Sequence, residues 1–189
     1  DEAQGYYFDA LLLPDGRRIA VDAFTIAGLV PLFAIAVADH ETFSAFKGFA
    51  SRFRWFAEQR PELLGNLANL TLTGVHKRNR LALVDARKLA HILRHVLDEQ
   101  HMLSANGIRS VSRRHAAEPF KLQIDDQTFT LDYEPAESTS GLFGGNSNWR
   151  GPVWFPINVL LMRALLQFYL YYGDDFRIEC PTGSGQEKT

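Results

Sequence analysis

Apolar residues alternate with polar ones at Phe120, Leu122 and Ile124, and again at Phe129, Leu131 and Tyr133, with Asp125-Asp126 between. A period of two on each side of a turn signal predicts a β-hairpin. The segment Tyr6 to Leu13 is β-prone and meets Pro14-Asp15-Gly16, so Arg17 to Val21 is expected to return as a second strand. Elsewhere the period is helical. Phe43, Phe46, Phe49, Phe53 and Phe56 recur three or four apart between Glu41 and Gln59, ahead of Pro61. This is the pattern of an amphipathic helix whose aromatics face a core. Leu89, Ile92, Leu93, Val96 and Leu97 form a second stripe within Val84 to Leu103, with Asn106-Gly107 as its expected stop.

Two stretches are apolar on all sides. Between Asp22 and Asp39 runs AFTIAGLVPLFAIAVA, interrupted by Gly28 and Pro31. It falls short of the roughly 20 residues of a membrane span and is expected as a buried helix. A helix opened by Pro156 and stopped at Gly173 carries Ile157, Val159, Leu160, Leu161, Leu165, Leu166 and Phe168. It should be buried on most sides. His76-Lys77-Arg78-Asn79-Arg80, within the irregular Leu67 to Leu83, reads as a solvated basic loop. Pro135 to Asn148 is a Gly/Ser/Asn-rich loop. Buried helices wrapped by amphipathic ones, with long ordered loops, suggest a double-layered helical barrel.

The chain has 189 residues and a formal net charge of -2. That length suffices for one domain, and that charge argues against nucleic acid and against a polybasic membrane binder. The high aromatic share suits flat ligands, sugar faces among them. Lone Cys180 excludes an internal disulfide and has no evident base beside it. His91 and His95 are four apart without the pattern of a zinc helix, and read as a solvated face around Asp98. No signal peptide is visible. The acidic start and the unfinished GSGQEKT end read as an excerpt of a longer polypeptide.

Carboxylates are left as candidates, and sugar hydrolysis requires a pair of them. Glu137 sits in YEPAESTSG and Glu179 in DDFRIECPTGSG, both in loops. For Glu179, apolar neighbours and Pro181 predict burial that raises its pKa or forces it to find a partner. A surface glutamate paired with Arg177 is the alternative. FGGNSNWRGPVWFPINVLL packs more rigid aromatic and polar material before a helix than capping needs.

NWRGPVW (Asn148 to Trp154), with Pro156, Asn158 and the downstream ECPTGSG, resembles glycoside hydrolase family 63, the mannosyl-oligosaccharide-glucosidase-like family. YYFDALLLPDG, AGLVPLFA and GIRSVS are also similar to its bacterial members. The resemblance covers nearly the whole chain and implies an all-α-dominated fold, part of an (α/α)6 barrel with small β-hairpin insertions. It implies that residues 1–189 form the C-terminal portion of that barrel. Inversion at α-glucoside-type substrates follows, with Glu179 as general base. Trp149, Arg150 and Trp154 would line the substrate, with Glu137 and Arg109 near them; Arg150 pairing with Glu137 is the structural alternative. Asn148 stands where many members carry tyrosine. The family's general acid, an aspartate in an earlier segment, has no match here. The implied partners are a carbohydrate and the remainder of the barrel, with no nucleic acid and no membrane, and the chemistry needs no metal or organic cofactor. A non-catalytic sugar-binding or protein-interaction remnant is the competing class.

Overall fold

Three hydrophobic patterns of the sequence become the three longest helices among the described residues: α3, Lys47–Gln59; α5, Ala86–Val96; and α6, Phe155–Tyr172. The computed structural model describes residues 1–64, 72–135 and 152–189. The other helices among them are single turns or little more: α1, Val30–Phe33; α2, His40–Ala45; and α4, Pro61–Leu64.

Strands fill the space between. β1 (Asp9–Leu12) pairs antiparallel with β2 (Arg18–Val21), with Leu11 opposite Ile19. β3 (Ile35–Asp39) pairs with β4 (Arg78–Ala82). Short β5 (Leu103–Ser104) and β6 (Gly107–Ile108) form a tight hairpin. β7 (Phe120–Ile124) and β8 (Gln127–Leu131) form the one the alternation predicts, with Leu122 opposite Phe129. β9 (Ile178–Glu179) and β10 (Glu187–Lys188) close the chain.

The expected all-α, (α/α)6-type architecture is therefore corrected. Helix makes up 41% and strand 23%, in small antiparallel hairpins, and the six α-helices among the described residues, half of them very short, do not form a double ring of barrel helices. The clearest cause is Ala23–Ala38. It does not form one helix: after a 3-10 turn at Ile26–Leu29 and the single turn α1, the chain leaves helical geometry at Ala34 and continues as β3. Ile35 and Val37 bear β-branched side chains that suit a pleated strand. The partner for that strand is the basic patch, which sequence reading placed in solvent.

That patch has a structural task. Arg78 donates to the carbonyl of Leu170 at 2.8 Å, and Arg80 donates to the Tyr172 hydroxyl while its guanidinium lies 4.3 Å from the Tyr171 ring centroid. Both arginines thus sit at the last turn of α6, where unpaired carbonyls and the helix dipole favour cations. Arg80 is buried. The phenylalanine stripe is a second correction. The helix breaks at Phe46 into α2 and α3, Phe46 and Phe49 are exposed, and Phe53 and Phe56 are half-buried. The side chain of Phe43 lies outside what is described.

The stripe on α5 does form the core. Leu89, Ile92, Leu93 and Val96 pack with Leu29, Leu32 and Met102, and with Leu161, Ala164 and Phe168 of α6. Asp85 caps this helix by accepting from the Lys88 amide at 2.8 Å. α5 ends well before the expected Asn106-Gly107 stop, which instead turns the β5–β6 hairpin. A smaller cluster of Val21, Ala23, Val111 and Leu131 joins the two outer hairpins.

Tyr6 and Phe24 anchor the N-terminal side. The Tyr6 hydroxyl donates to the Thr25 carbonyl at 2.8 Å. His115 is buried, accepts from the Phe24 amide through Nε2 at 3.0 Å, and donates from Nδ1 to the Glu118 carbonyl at 3.0 Å. Both ring nitrogens are therefore used by the neutral form. His95, expected on a solvated face, instead bonds the Gln4 carbonyl at 2.8 Å and packs edge-on against Tyr6. Among the described residues no helix is long and apolar enough to cross a membrane.

Two outcomes are expected. A Cβ at Gly28 would lie 2.3 Å from a Tyr6 ring carbon and 2.4 Å from the Tyr7 carbonyl oxygen. Gly28→Ala should cost about 3 kcal/mol in urea unfolding, since backbone cannot yield as a side-chain tip does; an unchanged midpoint would contradict this packing. Burial holds His115, and likewise His101, below the ordinary histidine pKa. Below about pH 6.5 the unfolded chain then takes up protons that the folded chain refuses. Stability should be full above that pH and fall as pH drops toward the depressed native values. A urea midpoint that is flat between neutral and mildly acid pH would refute it.

Candidate functional site

The corner before α6 is built from backbone hydrogen bonds that its side chains direct. Trp154 caps α6 with extended geometry, and Pro156 lies in the first turn, where a missing N–H costs nothing. Asn158, one turn in, makes the decisive contacts. Its Oδ1 accepts from the Ile108 amide at 2.7 Å, and its Nδ2 donates to the carbonyls of Ile108 at 3.1 Å and Trp154 at 3.0 Å. Just upstream, the Ser110 amide donates to the Pro152 carbonyl at 2.7 Å. The PVWFPIN and GIRSVS segments, far apart in sequence, are thus joined. Gly107 has φ +123, and a Cβ there would sit 3.0 Å from Asn158 Oδ1, so the close approach explains the glycine.

Arg109 follows directly. Its Nη1 donates to the carbonyl of Leu103 and reaches those of Glu99 at 3.2 Å and His101 at 3.4 Å. Its Nε donates to the Tyr133 hydroxyl at 3.2 Å, and the guanidinium lies 5.7 Å from that ring's centroid. Arg109 is therefore engaged in holding the segment that leaves α5 against the β8 exit.

Glu179 ends β9, and the chain then turns through Cys180–Gln186. Gly183 and Gly185 carry positive φ, +85 and +70, which lets both amides point back at one carboxylate. The Gly183 amide donates to Oε2 at 2.8 Å and the Gly185 amide donates to Oε1. These two bonds, Gly183 first, hold the Glu179 carboxyl below its usual pKa. The expectation that burial raises it is reversed; the partner it finds is backbone. Arg177, the alternative partner, bonds the Asp174 carbonyl at 3.3 Å instead. The turn is fastened by Thr182, whose amide and hydroxyl each donate at 2.9 Å, to the carbonyls of Leu97 and Arg94.

Arg109 and the turn that carries Glu179 are both tied to the C-terminal end of α5 and the segment just after it, whereas Trp154 is tied through Asn158 to Ile108 of β6. Trp149, Arg150 and Glu137 lie outside the described residues. Asn158 and Thr182 are the site residues that sequence reasoning passed over as roles. An amide in the first turn of a largely apolar helix was the available signal for Asn158. Thr182 offered none, because its partners are carbonyls of a distant helix end. Among the described residues, no group of three or more His, Cys, Asp or Glu side chains is placed to hold a metal ion.

Asn158→Leu keeps the volume but leaves the buried Ile108 amide and carbonyl unpaired. Destabilisation of about 3 kcal/mol is expected from urea unfolding, about 1–3 per orphaned group, whereas a loss within error would show that water replaces the amide.

No family model matches the chain, and no solved structure matches it. It is 44% identical over 186 residues to the uncharacterized protein YMR196W of Saccharomyces cerevisiae. That match takes in 98% of this chain and 17% of the yeast protein, so the chain spans about a sixth of the relative's length.

Proposed function

We propose that this chain supplies the base and part of the sugar-facing surface of an inverting glycosidase acting on α-glucoside-type substrates, with Glu179 as the base. The carrying observation is the placement of the Glu179 carboxylate: two glycine amides donate to it, and Thr182 fixes its turn to a core helix. A base must be deprotonated before it can act, and its position must be set to a fraction of an ångström. A carboxylate offers about four lone-pair sites. The amides of Gly183 and Gly185 take two, and the others are open to a water molecule.

In this reading, water bound to Glu179 gives up a proton to the carboxylate as its oxygen attacks the anomeric carbon. The glycosidic bond breaks, and the leaving oxygen takes a proton from a separate acid. That acid would stand roughly 6.5–9.5 Å from Glu179 to admit the water. The resemblance would give Trp149, Arg150 and Trp154 of the NWRGPVW motif the task of binding the sugar. The motif pair NWRGPVW and ECPTGSG, and its resemblance to family 63 glycosidases, lends the substrate class.

A second reading, a sugar-binding or protein-interaction segment without turnover, draws on the same carboxylate: both oxygens are engaged by backbone, as they would be in a purely structural turn brace. Turnover separates the two. YMR196W should hydrolyse p-nitrophenyl α-D-glucoside or an α-linked glucose disaccharide. Glu179→Gln at the matching position should lower kcat by about 10²–10⁴-fold with the substrate affinity little changed. The amide keeps the shape but cannot take the proton. Absence of hydrolysis of any α-glucoside, or an undiminished kcat in the variant, would reject the catalytic reading.

A further inference from the structure

Helix α6 has two apolar faces, and the described residues cover one. Leu161, Ala164, Phe168 and Tyr171 are buried against α1, β3 and the core. On the opposite side Phe155, Val159, Met162, Leu166 and Tyr169 are exposed by 73%, 46%, 71%, 55% and 46%. Their spacing alternates four, three, four, three, and Arg163 is the helix's only charged residue. Singly exposed apolar residues are ordinary, but a continuous seam at this spacing is the surface one helix offers to another. Beside it lies an apolar groove of about 430 Å³, lined by Leu93, Leu97, Met162, Leu166, Ile178 and Cys180.

We propose that this seam and groove seat a helix from the flanking polypeptide of a longer protein of the YMR196W kind, carrying its own apolar stripe at a spacing of three and four. Area argues against a second copy of this chain. Eighteen residues make a helix about 27 Å long. With a packing width of about 10 Å it presents roughly 270 Å², against the roughly 800 Å² per partner of a stable interface. A segment of the same chain avoids most of the translational and rotational cost of association, so a seam this small suffices for it. YMR196W has the chain to provide it, since the match occupies 17% of that protein. The proposal stands apart from the sugar reading: a structural segment without turnover would need the same cover.

The test is cysteine accessibility in intact YMR196W. One cysteine replaces the residue matching Met162, and a control replaces the residue matching Asp126 at the exposed turn of the β7–β8 hairpin. In the native protein the first site should react with a maleimide at least about tenfold more slowly than the control, at every protein concentration, and equally fast in urea. In the 189-residue chain alone, Met162→Cys should react as fast as Asp126→Cys. Equal rates in native YMR196W would overturn the proposal. So would protection that vanishes on dilution, or a 189-residue chain that runs as a dimer and shields Met162→Cys, since both assign the seam to a second copy.

Discussion

The carboxamide of Asn158 is the contact on which the rest of the site depends. With three hydrogen bonds it fixes the first turn of α6 to the β6 strand and to the Trp154 carbonyl. Because α6 is the spine against which α1, β3, β4 and β6 pack, its placement sets the positions of nearly everything else. The far end is held in the same manner, by Arg78 and Arg80 reaching the last turn. A helix whose apolar surface could slide in several registers is thus given one, by polar groups at its two ends. Directional bonds can select among packings that apolar contact alone would leave nearly equal.

The same logic, polar groups on backbone rather than on each other, recurs around the candidate base. Thr182 binds carbonyls, Arg109 binds carbonyls, and Glu179 binds amides. A helix end leaves carbonyls without partners, and the exit of α5 supplies the acceptors that Thr182 and Arg109 need. Function at that place would cost the fold little, because the groups that position Glu179 also satisfy the end of α5. The lowered Glu179 pKa is the electrostatic expression of the same turn: two oriented amides stabilise charge without any cation.

An apolar residue in this chain does not always mean a residue inside. α5 and α6 are both rich in leucine, yet α5 buries its stripe and α6 leaves a seam open. Phe46, where α2 and α3 meet, and Phe49 of α3 likewise keep much of their surface in water. In both regions the described residues leave apolar surface uncovered, and the groove beside α6 continues that surface.

Local patterns were legible where local physics decides. The β1–β2 and β7–β8 hairpins, the α5 stripe and the extent of α6 up to Gly173 all follow from periodicity and turn residues close in sequence. The strand at Ile35–Asp39 was not legible, because an apolar run without polar punctuation fits helix and strand alike, and only pairing with Arg78–Ala82 chose between them. Glu179 could be singled out by its neighbours Ile178 and Pro181, but the sign of its pKa shift could not. That sign depends on where Gly183 and Gly185 aim their amides, which is a matter of backbone geometry and not of composition. The sequence determined which residues stand ready for chemistry; the tertiary structure decided which of them are held by carbonyls and amides, because those partners come from segments that meet only on folding.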